Sequence, residues 1–209
     1  MVISEIKQLK NGRYGLFEAG RFVLSIDVDT YLESGICAGD ELSDEQLEEL
    51  TASAEKRKAA DKALTLLTLR DHSGEELRRK LRRSVSDEAA DSATEKMRDL
   101  GLIDDARFAQ SLAEELYGRR YFGRRRVEYE LSKRGVERGL AEETARSLDN
   151  DPEERAFKLI TKKYPRGLAT EADRRRAAAL LERSGYGWEE SRRALEQSEN
   201  YDGTDEDAD

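Results

Sequence analysis

The chain has 209 residues, of which 37% are hydrophobic and 40% charged, and its formal net charge is −9. This composition allows one or two domains with modest cores and indicates helices with broad solvated faces. No apolar run approaches the roughly 18 residues of a membrane span. The N-terminus lacks the basic and apolar regions of a signal peptide, so we expect a cytoplasmic protein without a membrane partner.

The sequence lacks the residues that several kinds of functional site require. Cys37 is the only cysteine and His72 the only histidine, which excludes a disulfide within the chain and a zinc site built from several Cys and His residues. His72, beside Ser73 and Gly74, is predicted to lie in a loop. No glycine-rich phosphate-binding loop occurs. We therefore expect no metal, no cofactor and no enzymatic activity.

The negative charge is unevenly distributed. Residues 1–56 carry 5 basic and 12 acidic side chains, and residues 202–209 carry 5 acidic side chains and no basic one. The residues between these segments have 32 basic and 29 acidic side chains. The net charge of the whole chain is therefore a poor guide to its partners.

The first 40 residues predict a small β segment. Strands are expected from Ile3 to Leu9, from Tyr14 to Glu18 and from Phe22 to Val28, because β-branched and aromatic residues are frequent there. Asn11-Gly12 is a hairpin signal between the first two strands. Residues 41–56 predict a connecting helix, which Ser43 and Gln46 begin as a capping box.

The following residues predict three units of three helices, at residues 57–103, 104–150 and 151–198. The first unit is expected to open with a helix of its own, from about Ala59 to Arg70. The fold class is thus mainly α, with tandem three-helix repeats after a small N-terminal β segment. Because one unit buries little apolar surface alone, we expect neighbouring units to pack together. Residues 199–209 are predicted to be a disordered acidic tail.

The middle helices of the three units have similar sequences at a spacing of 50 residues. The similar segments are Leu77 to Leu81, Val127 to Leu131 and Ala177 to Leu181. Gly135 and Gly185 follow the second and third segments, whereas Val85 stands at that place in the first. Gly185-Tyr186-Gly187 is predicted to be a turn, and Trp188 is predicted to anchor the last helix in the core.

A cluster of arginines in the second unit is the strongest indication of a binding site. It comprises Arg119, Arg120, Tyr121, Phe122, Gly123, Arg124, Arg125 and Arg126, and Lys133 and Arg134 follow on the next helix. Residues 119–138 contain 8 bases and 3 acids. Guanidinium groups bind phosphate and carboxylate in pairs of hydrogen bonds. The alternative is that Tyr121 and Phe122 fill the local core while the arginines pair with carboxylates such as Glu114 and Glu115.

Two further basic runs occupy the equivalent helices of the outer units. They are Arg78, Arg79 and Lys80, followed by Arg82 and Arg83, in the first unit, and Arg174, Arg175 and Arg176 in the third. The runs extend one basic track if the units stack with a common handedness. Alternatively, Glu75, Glu76 and Asp173 offset their charge. Asp104-Asp105 is interpreted as a helix start rather than as a metal or acid–base pair.

One continuous stretch resembles the signature of the RecX family. It runs from Leu100-Gly101-Leu102-Ile103-Asp104-Asp105 through Phe108-Ala109 to Gly123-Arg124-Arg125-Arg126-Val127, Leu131 and Lys133-Arg134-Gly135. Weaker likeness covers Ala63 to Arg83, which looks like the family's first repeat. The third repeat, from Asp151 onward, fits the family in outline.

The resemblance implies a regulator of the bacterial RecA recombinase that acts in recombination, DNA repair and the SOS response. Such proteins are not enzymes. They bind in the groove of the recombinase filament on single-stranded DNA and restrain ATP hydrolysis, strand exchange and repressor cleavage. Carried over by position, Arg119 to Arg126 and the helix to Arg134 face the filament. We expect a monomer with weak affinity for bare single-stranded DNA.

Two other functions stay open from the sequence. A stand-alone DNA-binding module would place the basic helix of the second unit in a groove and bind bare DNA with a steep salt dependence. A helical scaffold would have no nucleic-acid role. The acidic N-terminal segment and the acidic tail depart from a strongly basic family member, so filament binding is the leading prediction.

Overall fold

The computed structural model describes residues 1–10, 12–148 and 151–199 and divides into two units, Met1–Asp104 and Asp105–Asp209. Within the described residues the strands are β1 Glu5–Gln8, β2 Tyr14–Glu18 and β3 Arg21–Ile26. The helices are α1 Val28–Ser34, α2 Asp44–Leu69, α3 Gly74–Leu81, α4 Asp87–Asp99, α5 Asp105–Arg120, α6 Arg124–Lys133, α7 Arg138–Ser147, α8 Pro152–Lys163, α9 Glu171–Arg183 and α10 Trp188–Glu199. The predicted turn residue Asn11 and the acidic tail beyond Glu199 lie outside the described residues.

The first residues form the predicted β segment. Its three strands are antiparallel in the order β1-β2-β3, with Leu16 opposite both Ile6 and Leu24. The third strand is shorter than predicted and is followed by a helix, α1, that the sequence analysis did not predict. The cause is Asp27, whose side chain accepts a hydrogen bond from the Thr30 N–H (2.9 Å) and so starts a helix where β-branched Val28 suggested a strand.

A single helix, α2, spans the region in which the sequence predicted two helices. It begins with the predicted capping box of Ser43 and Gln46, and no glycine or proline interrupts it. Its first half packs Leu50 and Ala54 on the β segment, and its second half packs Ala59 and Ala63 into the core of the first repeat. This continuous helix therefore connects the two cores of the first unit.

The segments that repeat every 50 residues occupy equivalent core positions in three helices. The fully buried residues are Leu77 and Leu81 in α3, Val127 and Leu131 in α6, and Ala177 and Leu181 in α9. The mainly α fold with three-helix repeats after a small β segment is thus confirmed, while the repeat boundaries stay a prediction. Trp188 was predicted to lie in the core, and this is wrong, since 75% of its surface is exposed. Tyr186, two residues earlier, is buried in its place.

The loop between α2 and α3 buries the single histidine. His72 Nε2 lies 2.8 Å from Lys80 Nζ, and His72 Nδ1 lies 2.9 Å from the carbonyl oxygen of Arg70. Because an ammonium group only donates, Nε2 is the acceptor and Nδ1 carries the proton. Burial, together with the charges of Arg70 and Lys80, lowers the pKa of His72 below its ordinary value.

This arrangement predicts that acid weakens the fold. With a lowered pKa in the folded state, the unfolded chain takes up the proton more readily, so the contribution of His72 is fully present above about pH 6.5 and declines as the pH falls below it. We expect the free energy of urea unfolding to fall less between pH 7.5 and 5.5 in His72→Gln than in the wild type. An equal fall of the unfolding free energy in the two proteins would contradict the lowered pKa of His72.

Candidate functional site

The predicted arginine cluster lies at a sharp reversal between two helices. Arg119 and Arg120 end α5, and Arg124, Arg125 and Arg126 begin α6. We call residues 119–126 the arginine loop. The N–H of Phe122 donates to the carbonyl of Leu116 (3.2 Å) and closes the end of α5. The loop therefore presents the last turn of one helix beside the first turn of the next.

Tyr121 gives the loop its reversal by adopting a left-handed backbone conformation, with φ of 54°. This conformation costs a residue other than glycine about 1–3 kcal/mol, so other contacts must stabilise it. The Tyr186 hydroxyl donates to the Tyr121 carbonyl (2.7 Å), and Lys162 Nζ lies 5.0 Å from the centroid of the Tyr121 ring. Burial raises the pKa of the Tyr186 phenol well above its ordinary value, which keeps this donor protonated.

Two glycines allow the start of α6 to touch the turn after α9. The Gly123 N–H donates to the Ser184 carbonyl (2.8 Å). A Cβ on Gly123 would lie 2.7 Å from the Gly185 carbonyl oxygen, and a Cβ on Gly185 would lie 2.6 Å from the Arg126 Cβ. Gly185 also has φ of 88°, which disfavours any side chain. The sequence predicted a turn at Gly185 but not the contact of this turn with the arginine loop.

One arginine of the loop is already engaged inside the protein. The Arg126 Cζ lies 5.5 Å from the Phe122 ring centroid and 5.2 Å from the Tyr129 ring centroid, and its Nη2 lies 2.6 Å from Glu130 Oε1. Its guanidinium is thus held between aromatic rings and a carboxylate. Arg126 contributes to the support of the loop rather than to its free surface.

Four other arginines of the loop are exposed to solvent, namely Arg119, Arg120, Arg124 and Arg125. Within the described residues none of them forms an ion pair, and Glu114 instead accepts a hydrogen bond from Gln110 (2.6 Å). Tyr121 and Phe122 pack against the cores of the third and second repeats, respectively. The loop therefore combines aromatic residues that anchor it with guanidinium groups that are available to a partner.

The start of α6 is electrostatically unfavourable. Gly123 provides no side-chain cap, and the first turn contains arginines and no acidic residue. The equivalent helices α3 and α9 are capped by Ser73 and Thr170 and carry acidic residues in their first turns. Because the N-terminus of a helix carries partial positive charge, arginines there oppose helix stability by a few tenths of a kcal/mol or more. This arrangement favours an anionic partner at α6.

The outer basic runs are more fully engaged with the protein's own acids. Arg78 contacts Glu75 (3.2 Å) and Asp91 (2.9 Å), and Lys80 contacts His72. In α9, Arg175 pairs with Glu171 (3.3 Å) and Arg176 with Asp173 (3.4 Å). Arg79, Arg174 and Lys133 are exposed, and Arg134 is half-buried at the end of α6. A common track through all three runs stays a prediction.

Two more observations concern the expected absences. Among residues 1–10, 12–148 and 151–199, His, Cys, Asp and Glu side chains form no group of three or more that is suited to a metal ion. Over the same residues, no helix has both the length and the apolar character to cross a membrane. Asp105 opens α5, which places Asp104-Asp105 at a helix start as predicted.

Known proteins resemble this chain in sequence. Residues 104–144, which include the arginine loop, match the family model described as RecX, second three-helix domain. Regulatory protein RecX of Stenotrophomonas maltophilia (strain R551-3) is 37% identical over 135 residues, which cover 64% of this chain and 82% of that protein. The chain belongs to the RecX family. Its RecX relative from Caldanaerobacter subterraneus subsp. tengcongensis is 28% identical over 191 residues, covering 91% of this chain and 95% of that protein.

Solved RecX structures have the same fold. The crystal structure of regulatory protein RecX aligns with a TM-score of 0.63 at 19% identity, over 96% of this chain and 99% of that one. RecX from Lactobacillus salivarius aligns with a TM-score of 0.59 at 20% identity, over 71% of this chain and 99% of that one. The fold of the RecX family thus extends well beyond the residues of the family signature.

The contact between the two glycines predicts a stability defect in Gly185→Ala. The strained φ and the clash with Arg126 should together destabilise the protein by about 2–5 kcal/mol, measured by urea unfolding. Gly118→Ala is the control, because a Cβ there meets nothing within 4 Å and alanine should stabilise α5 by about 0.5–1 kcal/mol. A Gly185→Ala protein as stable as the wild type would contradict the packing of α6 on this turn.

Proposed function

We propose that this RecX-family protein regulates a RecA-type recombinase by binding its filament on single-stranded DNA. It restrains the filament's ATPase, strand-exchange and coprotease activities and acts in the cytoplasm as a monomer. Membership in a family of regulatory proteins supports the regulatory role. The observation that carries the choice of site is the set of four exposed arginines in the arginine loop that form no ion pair within the described residues.

The proposed contact is a surface and involves no chemical step. Arg119, Arg120, Arg124 and Arg125 offer guanidinium forks that match the carboxylates of a protein groove and the phosphates of a DNA strand. A filament provides both kinds of group. Lys133 and Arg134 extend this surface along α6. The outer basic runs of α3 and α9 contribute less, because several of their cations already have acidic partners.

A direct test measures the recombinase's DNA-dependent ATPase as the protein is added. We expect wild-type protein to inhibit at several-fold excess over filament sites. The double variant Arg124→Ala/Arg125→Ala should need at least about tenfold more protein for half-inhibition, since a hydrogen bond to a charged group contributes about 1.5–3 kcal/mol.

The matched control is Arg192→Ala/Arg193→Ala, another pair of adjacent arginines within Asp105–Asp209. These arginines pair with Glu196 and Glu153, respectively, and their loss should change half-inhibition less than about threefold. Wild-type protein that leaves the ATPase unchanged would refute the proposed function. Equal inhibition by wild type and the Arg124/Arg125 variant would retain the function and remove the site.

A stand-alone DNA-binding module is the second candidate, because the same four arginines suit phosphates. It predicts tight binding to bare DNA, with a slope of log affinity against log salt close to one unit per neutralised phosphate. The filament regulator instead binds a preformed filament much more tightly than bare DNA. Fluorescence anisotropy with both targets at two salt concentrations separates these functions.

The exposed start of α6 predicts opposite effects on stability and on function. Arg124→Glu places a negative charge at the N-terminus of the helix, which should stabilise the fold by about 0.3–1 kcal/mol. The same change should weaken inhibition of the ATPase at least as much as Arg124→Ala, because it repels an anionic partner. Thermal unfolding and the ATPase assay measure the two effects. A variant that is both less stable and fully inhibitory would contradict this account of α6.

A further inference from the structure

The exposed side of α6 carries a regular stripe of side chains. Arg125, Tyr129 and Lys133 follow one another at intervals of four residues, and all three are exposed. Residues at this spacing neighbour one another on a helix, about 6 Å apart along its axis. Val127 and Leu131, on the same helix, are fully buried in the core. We call Arg125, Tyr129 and Lys133 the α6 stripe.

Tyr129 is an unusual residue to leave in water. Its side chain is 55% exposed, although a buried aromatic ring contributes strongly to folding. The ring is nevertheless held in place, because the Arg126 Cζ lies 5.2 Å from its centroid and Arg126 is fixed by Glu130 (2.6 Å). A ring that is held but not covered loses little conformational entropy when a partner stacks on it. Tyr129 was not among the site residues predicted from the sequence, although it follows Arg125 by four residues.

The charges around the stripe favour an anionic partner. Of the 3 acids among residues 119–138, Glu130 pairs with Arg126 and Glu137 caps α7 through the Leu140 N–H (3.1 Å). Residues 119–138 therefore keep an excess of positive charge, with 8 bases against 3 acids, even though Arg138 pairs with Glu142 outside the segment. A cation, an aromatic ring and a second cation along one line match a polymer of phosphates that also presents flat bases.

The aromatic ring decides between the possible anionic partners. Duplex DNA stacks its bases inside the helix, so it would contact the two cations and leave Tyr129 unused. An acidic protein segment would likewise pair with the cations without needing a ring between them. An unpaired strand offers both its phosphates and the faces of its bases, and stacking on aromatic side chains is the usual way in which proteins hold such bases.

We propose that the α6 stripe binds single-stranded nucleic acid, with Arg125 and Lys133 on phosphates and Tyr129 stacked on a base. This inference rests on the proposed function for the strand's biological setting, the DNA inside the recombinase filament. It adds a preference for unpaired bases, which the arginines alone do not provide. Tyr129 is thus the residue that distinguishes a single strand from a duplex.

The test measures binding of the full chain to three labelled ligands by fluorescence anisotropy at low salt. The ligands are an oligothymidylate of about 15 nucleotides, an abasic oligonucleotide of equal length and a duplex. Tyr129→Ala should weaken oligothymidylate binding by about 5- to 100-fold and leave abasic and duplex binding unchanged. Tyr129→Phe should bind oligothymidylate like the wild type, which separates loss of stacking from loss of the hydroxyl.

Two further variants serve as controls. Phe22→Ala removes an aromatic ring of similar exposure, 58%, from the other unit and should leave all three affinities unchanged. Arg125→Ala should weaken binding of all three ligands and reduce the salt slope for single strands by about 0.7. Equal weakening of oligothymidylate and abasic binding by Tyr129→Ala would overturn the stacking role, as would unchanged oligothymidylate binding.

The outcome is independent of the recombinase assay. If Tyr129 discriminates between the ligands but the protein does not inhibit the ATPase, the α6 stripe stands and the proposed function falls. If the protein inhibits the ATPase but Tyr129→Ala binds every ligand like the wild type, the proposed function stands and the stripe's role falls. Wild-type protein that does not bind oligothymidylate even at low salt overturns the stripe directly.

Discussion

The backbone contact between Gly123 and Gly185 determines how the unit Asp105–Asp209 presents the arginines of its arginine loop. Any side chain at either position would separate the start of α6 from the turn after α9. With that contact made, the Tyr186 hydroxyl reaches the Tyr121 carbonyl and stabilises the left-handed turn that reverses the chain. Arg124 and Arg125 then begin a helix whose direction is fixed by the core of the neighbouring repeat. The position of an exposed charge thus depends on two residues that have no side chain.

The arginines of this unit divide into two groups by what surrounds them. Arg126 and Arg155 lie against aromatic rings, and the Arg155 Cζ is only 3.3 Å from the centroid of the Tyr117 ring. Such cations contribute to packing, within the second repeat for Arg126 and between the second and third repeats for Arg155, because a ring face partly replaces the lost water. Within the part of the chain that the structure describes, the exposed arginines of the loop make no comparable contact with a ring. A surface ion pair contributes at most about 1 kcal/mol, so the acidic partners of the cations in α3 and α9 hold them only weakly.

Regular features of the chain were predictable from the sequence, and contacts between distant residues were not. The apolar spacing of Leu81, Leu131 and Leu181 predicted three helices, and all three positions are buried. The exposure of Trp188 was not predictable from its type, because the choice between Trp188 and Tyr186 for the core depends on how α10 packs. Similarly, the contact of Gly123 with Gly185 joins residues far apart in the chain. Only the structure shows that the candidate site depends on it.

The three middle helices show what the repeat preserves and what it leaves free to change. Their buried positions are equivalent, so each repeat keeps its hydrophobic core. Their first turns differ: α3 and α9 begin with a side-chain cap and acidic residues, whereas α6 begins with Gly123 and three arginines. A cap and acidic residues would stabilise α6, so its sequence is not the one that stability alone favours. Departures of this kind are expected where a surface must bind a partner, and this one supports the proposal that the central repeat binds an anionic ligand.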